Sequence, residues 1–212
     1  IKGLHGRSLL SLITPAARLS WKRIGQGFCV FFMLKVIEIG LSYGLSPDDF
    51  TLNFQARPFF IFLGWVALLT PLQIAAEELF FRGYLLQGIG SKLGKWMGIL
   101  LPSVLFMALH GANTEVATQP SAEGVFSILA YYFMVGAFMA WLTVKDKTIE
   151  LALGLHAANN IATFVLVTSP DSSIPSPAIF SITDTEASVT SLFFTAISLF
   201  VFAIIVFKAL RK

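Results

Sequence analysis

Charge is scarce in this chain, and the scarcity decides its solvent. Asp, Glu, Lys and Arg make up 13% of the 212 residues, whereas 56% are hydrophobic and 21 are phenylalanine, above the roughly 45–50% apolar share of a soluble domain. Mean hydropathy is +0.77. A water-soluble fold could not cover so much apolar surface, so the expected surroundings are lipid. Cysteine is reduced to Cys29, which excludes an internal disulfide, a CxxC redox pair and a zinc ribbon and leaves Cys29 as an expected packing residue. Missing as well are HExxH for a zinc protease, a GxSxG or GxSG serine and a GxGD aspartate, so those routes to peptide-bond hydrolysis have no residues here. No internal repeat or low-complexity tract stands out, and no linker divides the chain. A single membrane domain over residues 1–212 is the simplest organisation. Because the chain opens on Ile1, further sequence is expected upstream of it.

What is present is a series of apolar stretches, each near the roughly 20 residues of helix that cross a hydrocarbon core. Six are expected, at about 24–46, 58–89, 96–112, 124–144, 148–168 and 188–208. The fold class is therefore all-α, a polytopic membrane helix bundle. The second stretch is too long for one straight span and contains Pro71, where a kink is expected. Residues 169–177, SPDSSIPSP, read as an extended loop.

Lys and Arg favour the cytoplasmic side of a membrane, and here they alternate cleanly. The basic N-terminal segment (1–23) carries Lys2, Arg7, Arg18, Lys22 and Arg23; the following odd-side turns carry Lys92, Lys95, Lys145 and Lys147; the C-terminus carries Lys208, Arg211 and Lys212. On the opposite side Arg57 stands alone among Asp48, Asp49, Glu115, Glu123, Asp171, Asp184 and Glu186. Both termini are expected in the cytoplasm, and a bacterial inner membrane is the expected location. The net charge of +3 follows from this topology, with no basic cluster of the kind nucleic acid requires. Nucleic acid is excluded as a partner.

A charged side chain near the bilayer centre costs at least about 2.5–3.5 kcal/mol and usually marks a function or a partner. Glu78 and Arg82 lie i,i+4 on one helical face and can neutralise each other; Lys35 and Glu38, i,i+3 on the first span, read as a structural pair. Glu77 has no basic residue three or four positions away, so it faces something else. His5 belongs to the N-terminal segment, but His110 and His156 fall within spans, His110 four residues after Phe106 and His156 four before Asn160. At about 1.5 Å per residue, Glu77 lies about 20 Å above Gly90, His110 about 22 Å above Lys95 and Asn160 about 20 Å above Lys147. His156 comes out one turn lower. These residues predict a polar chamber inside the bundle.

The motifs EExxxR (Glu77, Glu78, Arg82), FxxxH (Phe106, His110) and HxxxN (His156, Asn160), in that order and each within a predicted span, resemble those of the CPBP family. These are the type II CAAX prenyl endopeptidases, or ABI family, of intramembrane glutamate proteases. The resemblance covers about residues 58–168. It implies that Glu77 takes a proton from water with His110 helping to hold it, that His156 and Asn160 donate hydrogen bonds to the tetrahedral oxygen, and that Glu78, Arg82 and Phe106 support them. It implies neither metal nor cofactor, and as partners a membrane-associated peptide or protein substrate and the bilayer itself. Asparagine is doubled at Asn159–Asn160; the HxxxN spacing favours Asn160.

Two other classes stay open on residue type alone. Glu77, His110 and His156 could supply three zinc ligands with an open fourth position. The same chamber could also serve a transporter, a scaffold or an immunity-type protein that binds without cutting. The motifs do not choose among substrates such as a peptide pheromone, a bacteriocin precursor or a membrane-protein tail.

Overall fold

The computed structural model describes residues 6, 8–183 and 186–210. His5, Lys2, Arg7, Asp184, Arg211 and Lys212, all used above, lie outside them. After a short 3₁₀ turn at Leu9–Leu12, helix α1 spans Trp21–Leu45 and strand β1 spans Phe50–Leu52. Helix α2, Ala56–Glu78, continues through a π-helical turn at Leu79–Leu85 into α3, Leu86–Leu93. Next come α4 (Lys95–His110), the one-turn α5 (Thr114–Ala117), α6 (Ala122–Asp146) and α7 (Glu150–Val165). Strands β2 (Val167–Thr168) and β3 (Phe180–Ile182) precede α8 (Val189–Ile204), which ends in a second π-helical turn at Ile205–Ala209.

Local chemistry sets several of these boundaries. The hydroxyls of Ser20, Ser121 and Ser188 accept from the backbone N–H groups of Arg23, Gly124 and Ser191 and so cap α1, α6 and α8, satisfying donors that a helix start leaves orphaned. Between α3 and α4 the chain reverses at Gly94, whose φ of 87° favours a residue without a Cβ. Pro71 lies inside α2, with helix assigned on both sides of it. The ladder widens eight residues later, directly after Glu77 and Glu78; such turns are frequent at functional sites.

The bundle is a membrane helix bundle, as composition requires. Among the described residues, four helices are long and apolar enough to cross a bilayer: α1, the continuous 38-residue Ala56–Leu93, α6, and Val189–Ala209. Helices α4 and α7 have 16 residues each, about 24 Å of rise, short of the roughly 30 Å hydrocarbon core. Large apolar side chains such as Trp65, Leu68, Leu72, Phe126, Phe193 and Phe200 point outward, a surface suited to acyl chains and unsuited to water. Cys29, expected in the packing, is exposed on this outer surface instead; α1 turns its Phe31 inward against Phe202.

Helices α1 and α7 form the most extensive pair in the bundle. Their crossing uses glycine on both sides. A Cβ on Gly154 would stand 2.1 Å from the carbonyl oxygen of Ile24, and one on Gly27 2.6 Å from that of Leu151, so the two backbones touch. Buried Phe81, Phe106, Met139, Leu142, Leu155 and Phe202 make up much of the core.

The loops sort to two ends. At one end Arg23 pairs with Asp146 at 2.5 Å, the Ser20 N–H donates to Glu150 at 2.6 Å, and Gln87 donates to the Leu12 carbonyl. This end holds Arg18, Lys22, Lys92, Lys95, Lys145 and Lys147, as the charge pattern predicts. At the other end the three short strands form a sheet ordered β1–β3–β2, with β1 antiparallel and β2 parallel to β3. Residues 169–177, expected as an extended loop, carry no helix or strand and join β2 to β3; the strands that flank them were not expected.

Candidate active site

The widened turn after Glu78 belongs to a helix segment that must bury an arginine. Arg82 is 2% exposed and Glu78 fully buried. The Arg82 Nη1 donates to Glu78 Oε1 at 2.7 Å, and its Nη2 donates to the carbonyl of Gly136 on α6 at 3.2 Å. Its guanidinium lies 4.8 Å from the ring centre of Phe106 and 5.6 Å from that of Phe81. The i,i+4 pair read from the sequence is thus real, and three further contacts hold it.

Glu78 does more than neutralise Arg82. Its Oε1 also lies 2.8 Å from Nδ1 of His156. A carboxylate only accepts, so Nδ1 carries a proton and Nε2 is turned the other way. That nitrogen is 3.7 Å from Oε2 of Glu77, beyond hydrogen-bond length but close enough for an ion pair when the ring is charged. His156 therefore stands between the two glutamates, level with them; the helix count had put it one turn lower. Gln73, one turn before Glu77, donates to Glu77 Oε1 at 3.0 Å. Glu77 Oε2 is buried and has no hydrogen-bond partner among the described residues.

His110, the last residue of α4, is oriented differently. Its Nδ1 is 2.8 Å from the carbonyl of Phe106, which can only accept, so in the neutral ring Nε2 keeps a free lone pair. The imidazole lies between two rings: Phe106 at 4.3 Å and, stacked at 30°, Tyr132 at 4.3 Å. Phe106 thus supports His110 with its carbonyl and Arg82 with its ring.

Glu77, His110, His156 and Asn160 all line one cavity of about 420 Å³. The convergence predicted from four separated positions on three helices is met. Asn159 lines it too, its Oδ1 accepting from Tyr131 at 3.0 Å, so this asparagine is engaged by α6 while Asn160 sits one turn beyond His156. Sequence reasoning missed three other contributors. Lys35 lines the cavity while paired with Glu38 at 3.2 Å; its i,i+3 spacing gave the pair but not its direction. Tyr132 and Glu115 line it as well. Among the described residues no group of three or more His, Cys, Asp or Glu side chains is placed to share a metal ion.

Glu115, on the one-turn helix α5, accepts from four groups. Its Oε1 takes the Tyr132 hydroxyl at 2.5 Å and Asn113 Nδ2 at 2.9 Å; its Oε2 takes the Ser173 N–H at 2.9 Å and the Ser173 hydroxyl. Burial works against its ionised form, but the donors from Ser173, Tyr132 and Asn113 outweigh it and hold this carboxyl below the usual carboxylate range.

A cavity of buried glutamate and histidine within a membrane bundle is decided by comparison with known proteins. Residues 57–162 match the family described as Type II CAAX prenyl endopeptidase Rce1-like. The chain belongs to this family. A relative from Bacillus subtilis (strain 168), the uncharacterized protein YyaK, is 32% identical over 196 residues, which is 91% of this chain and 64% of that protein. The chain thus spans less than two thirds of that relative's length. No solved structure matches it. The Rce1-like segment holds Glu77, Glu78, Arg82, Phe106, His110, His156 and Asn160 but leaves out α1, and with it Lys35.

Proposed function

We propose that this chain is an intramembrane endopeptidase in which Glu77 activates water for attack on a peptide bond, without a metal ion. The observation that carries the reading is the buried Oε2 of Glu77, unpartnered among the described residues and facing His156 in the cavity that His110 also lines. A buried carboxylate oxygen left without a donor is costly, and a water or a substrate group is the natural partner.

In this reading a water gives its proton to Glu77 while His110 Nε2 accepts a hydrogen bond from it. The resulting hydroxide adds to the substrate carbonyl carbon. Charge then gathers on the carbonyl oxygen, where Asn160 Nδ2 donates directly. His156 can join it only when Nε2 holds a proton as well, because Nδ1 is committed to Glu78. As the tetrahedral intermediate collapses, Glu77 passes its proton to the leaving amine and returns to its ionised state. Glu78 and Arg82 keep the His156 ring turned.

The substrate is a membrane-associated peptide or protein. Comparative peptidomics of membranes containing the wild-type protein or its Glu77→Ala variant tests the reading. Peptides ending at a common site should be present with the first and missing with the second; identical peptide sets would favour a binding protein using the same chamber.

The location we propose is a bacterial inner membrane with the lysine- and arginine-bearing end in the cytoplasm. In a Cys29→Ser background, cysteines at Asp48 and Thr118 should react with an impermeant reagent added to intact cells, and cysteines at Lys92 and Lys147 should not. Labelling at Lys92 but not Thr118 would invert the orientation.

A further inference from the structure

The surroundings of the cavity differ toward the two ends of the bundle. Toward the lysine-bearing end, α1 and α7 meet backbone to backbone at Gly27 and Gly154, above buried Leu151 and Leu155. Toward the other end the loop after β2 contributes Ser169, Ser172, Ser173 and Ile174 to the lining, beside Asn113 and Glu115. This segment is a strap with pinned feet. The Ser176 N–H donates to Thr168 Oγ1 at 3.1 Å, and Asn53 Nδ2 donates to the carbonyls of Ser176 and Ala178. Its apex is bound by side-chain contacts. Ser173 gives both its N–H and its hydroxyl to Glu115 Oε2, and its Oγ accepts from the Thr114 N–H at 2.9 Å. The other oxygen of that carboxylate holds Tyr132, whose ring stacks on His110.

We propose that substrate reaches the cavity past this strap, at the end of the bundle opposite the lysine-bearing turns, and that Glu115 is the latch that holds the strap closed against Tyr132 and His110. The inference rests on the reading of this cavity as the site of hydrolysis. Three features support it. The strap apex is exposed at Ser173 and Ile174, so its opening uncovers little apolar surface. Its bonds to Glu115 are charge-assisted yet solvent-accessible, the kind that can break and re-form at small cost. And one carboxylate serves both the strap and the ring that backs His110, so closing over a substrate and firming the His110 site are a single event. Glu115 and Tyr132 are positioning residues in this account; neither touches the reacting atoms.

The test measures access without requiring hydrolysis. In a Cys29→Ser background, Val135→Cys places a thiol at a buried position of α6 that lines the cavity, and its rate of reaction with a water-soluble maleimide reports strap opening in the purified protein. Ser173→Pro removes both strap donors to Glu115 and leaves Glu115, Asn113 and Tyr132 untouched. It should speed labelling about tenfold or more, as loss of charge-assisted hydrogen bonds predicts. Glu115→Ala should do the same, and Thr118→Ala, outside the contact, should not. Equal rates in Ser173→Pro and its parent, at equal folded fraction, would overturn the latch even if the protein proves to be a protease. Faster labelling together with no hydrolysis of any peptide in the parent would keep the latch and overturn the reading of the site.

Discussion

Glu77→Gln is expected to stop turnover and spare the fold. The amide keeps the size of the carboxyl and can still meet Gln73, but it cannot take a proton from water, so turnover should fall by about 10²–10⁴ or more with substrate still bound. His110→Ala should lose turnover to a similar extent. Asn160→Ala removes an oxyanion donor and should cost about 10²–10³. The comparison is made on purified variants of equal folded fraction, with a peptide taken from the membrane comparison described above. Cys29→Ser and Glu123→Gln should stay near wild type. Hydrolysis that persists in Glu77→Gln would remove glutamate activation; loss of binding in that variant would make Glu77 a ligand contact. Inhibition by a chelator, reversed by zinc, would favour the metal reading.

Arg82→Ala should fail in the opposite way, by losing folded protein. It leaves Glu78 buried with His156 as its remaining partner, and removing one member of a buried ion pair costs about 3–5 kcal/mol. That is a large part of the roughly 5–15 kcal/mol stability of a domain. Arg82→Lys should recover part of it, since a single ammonium cannot reach both Glu78 and the Gly136 carbonyl in the geometry of a guanidinium. Glu78→Ala should show both defects: Arg82 loses its counter-charge, and His156 loses the acceptor that fixes its ring. The measurement is folded yield and thermal stability in detergent, followed by turnover per folded molecule. Equal yield for Arg82→Ala and Glu77→Gln would mean that support and chemistry are not divided between these residues.

Much of this site could be read along the chain because helices convert spacing into direction. The four-residue steps from Phe106 to His110, from His156 to Asn160 and from Glu78 to Arg82 each specify one face, and depth counting brought the faces together. What spacing cannot give is a rotamer. Nothing in the string says that Glu78 would share one oxygen between Arg82 and His156, or that His156 would turn its other nitrogen to Glu77. The π-helical turn at Leu79–Leu85 has no composition signal. Strands of two or three residues are too short to show alternation, so the sheet was invisible. Lys35 was paired correctly yet taken as finished, because a satisfied charge gives no hint that it also borders a cavity lined from several other helices.

The glycine crossing of α1 and α7 bears on traffic. Where two backbones lie in van der Waals contact, neither an acyl tail nor a peptide has room to slide between them, so that seam is a wall to lateral diffusion from the membrane. If the cavity hydrolyses a peptide as proposed, the fragments have no way out through that seam either. Under the proposed function, substrate and product share the remaining openings of the cavity.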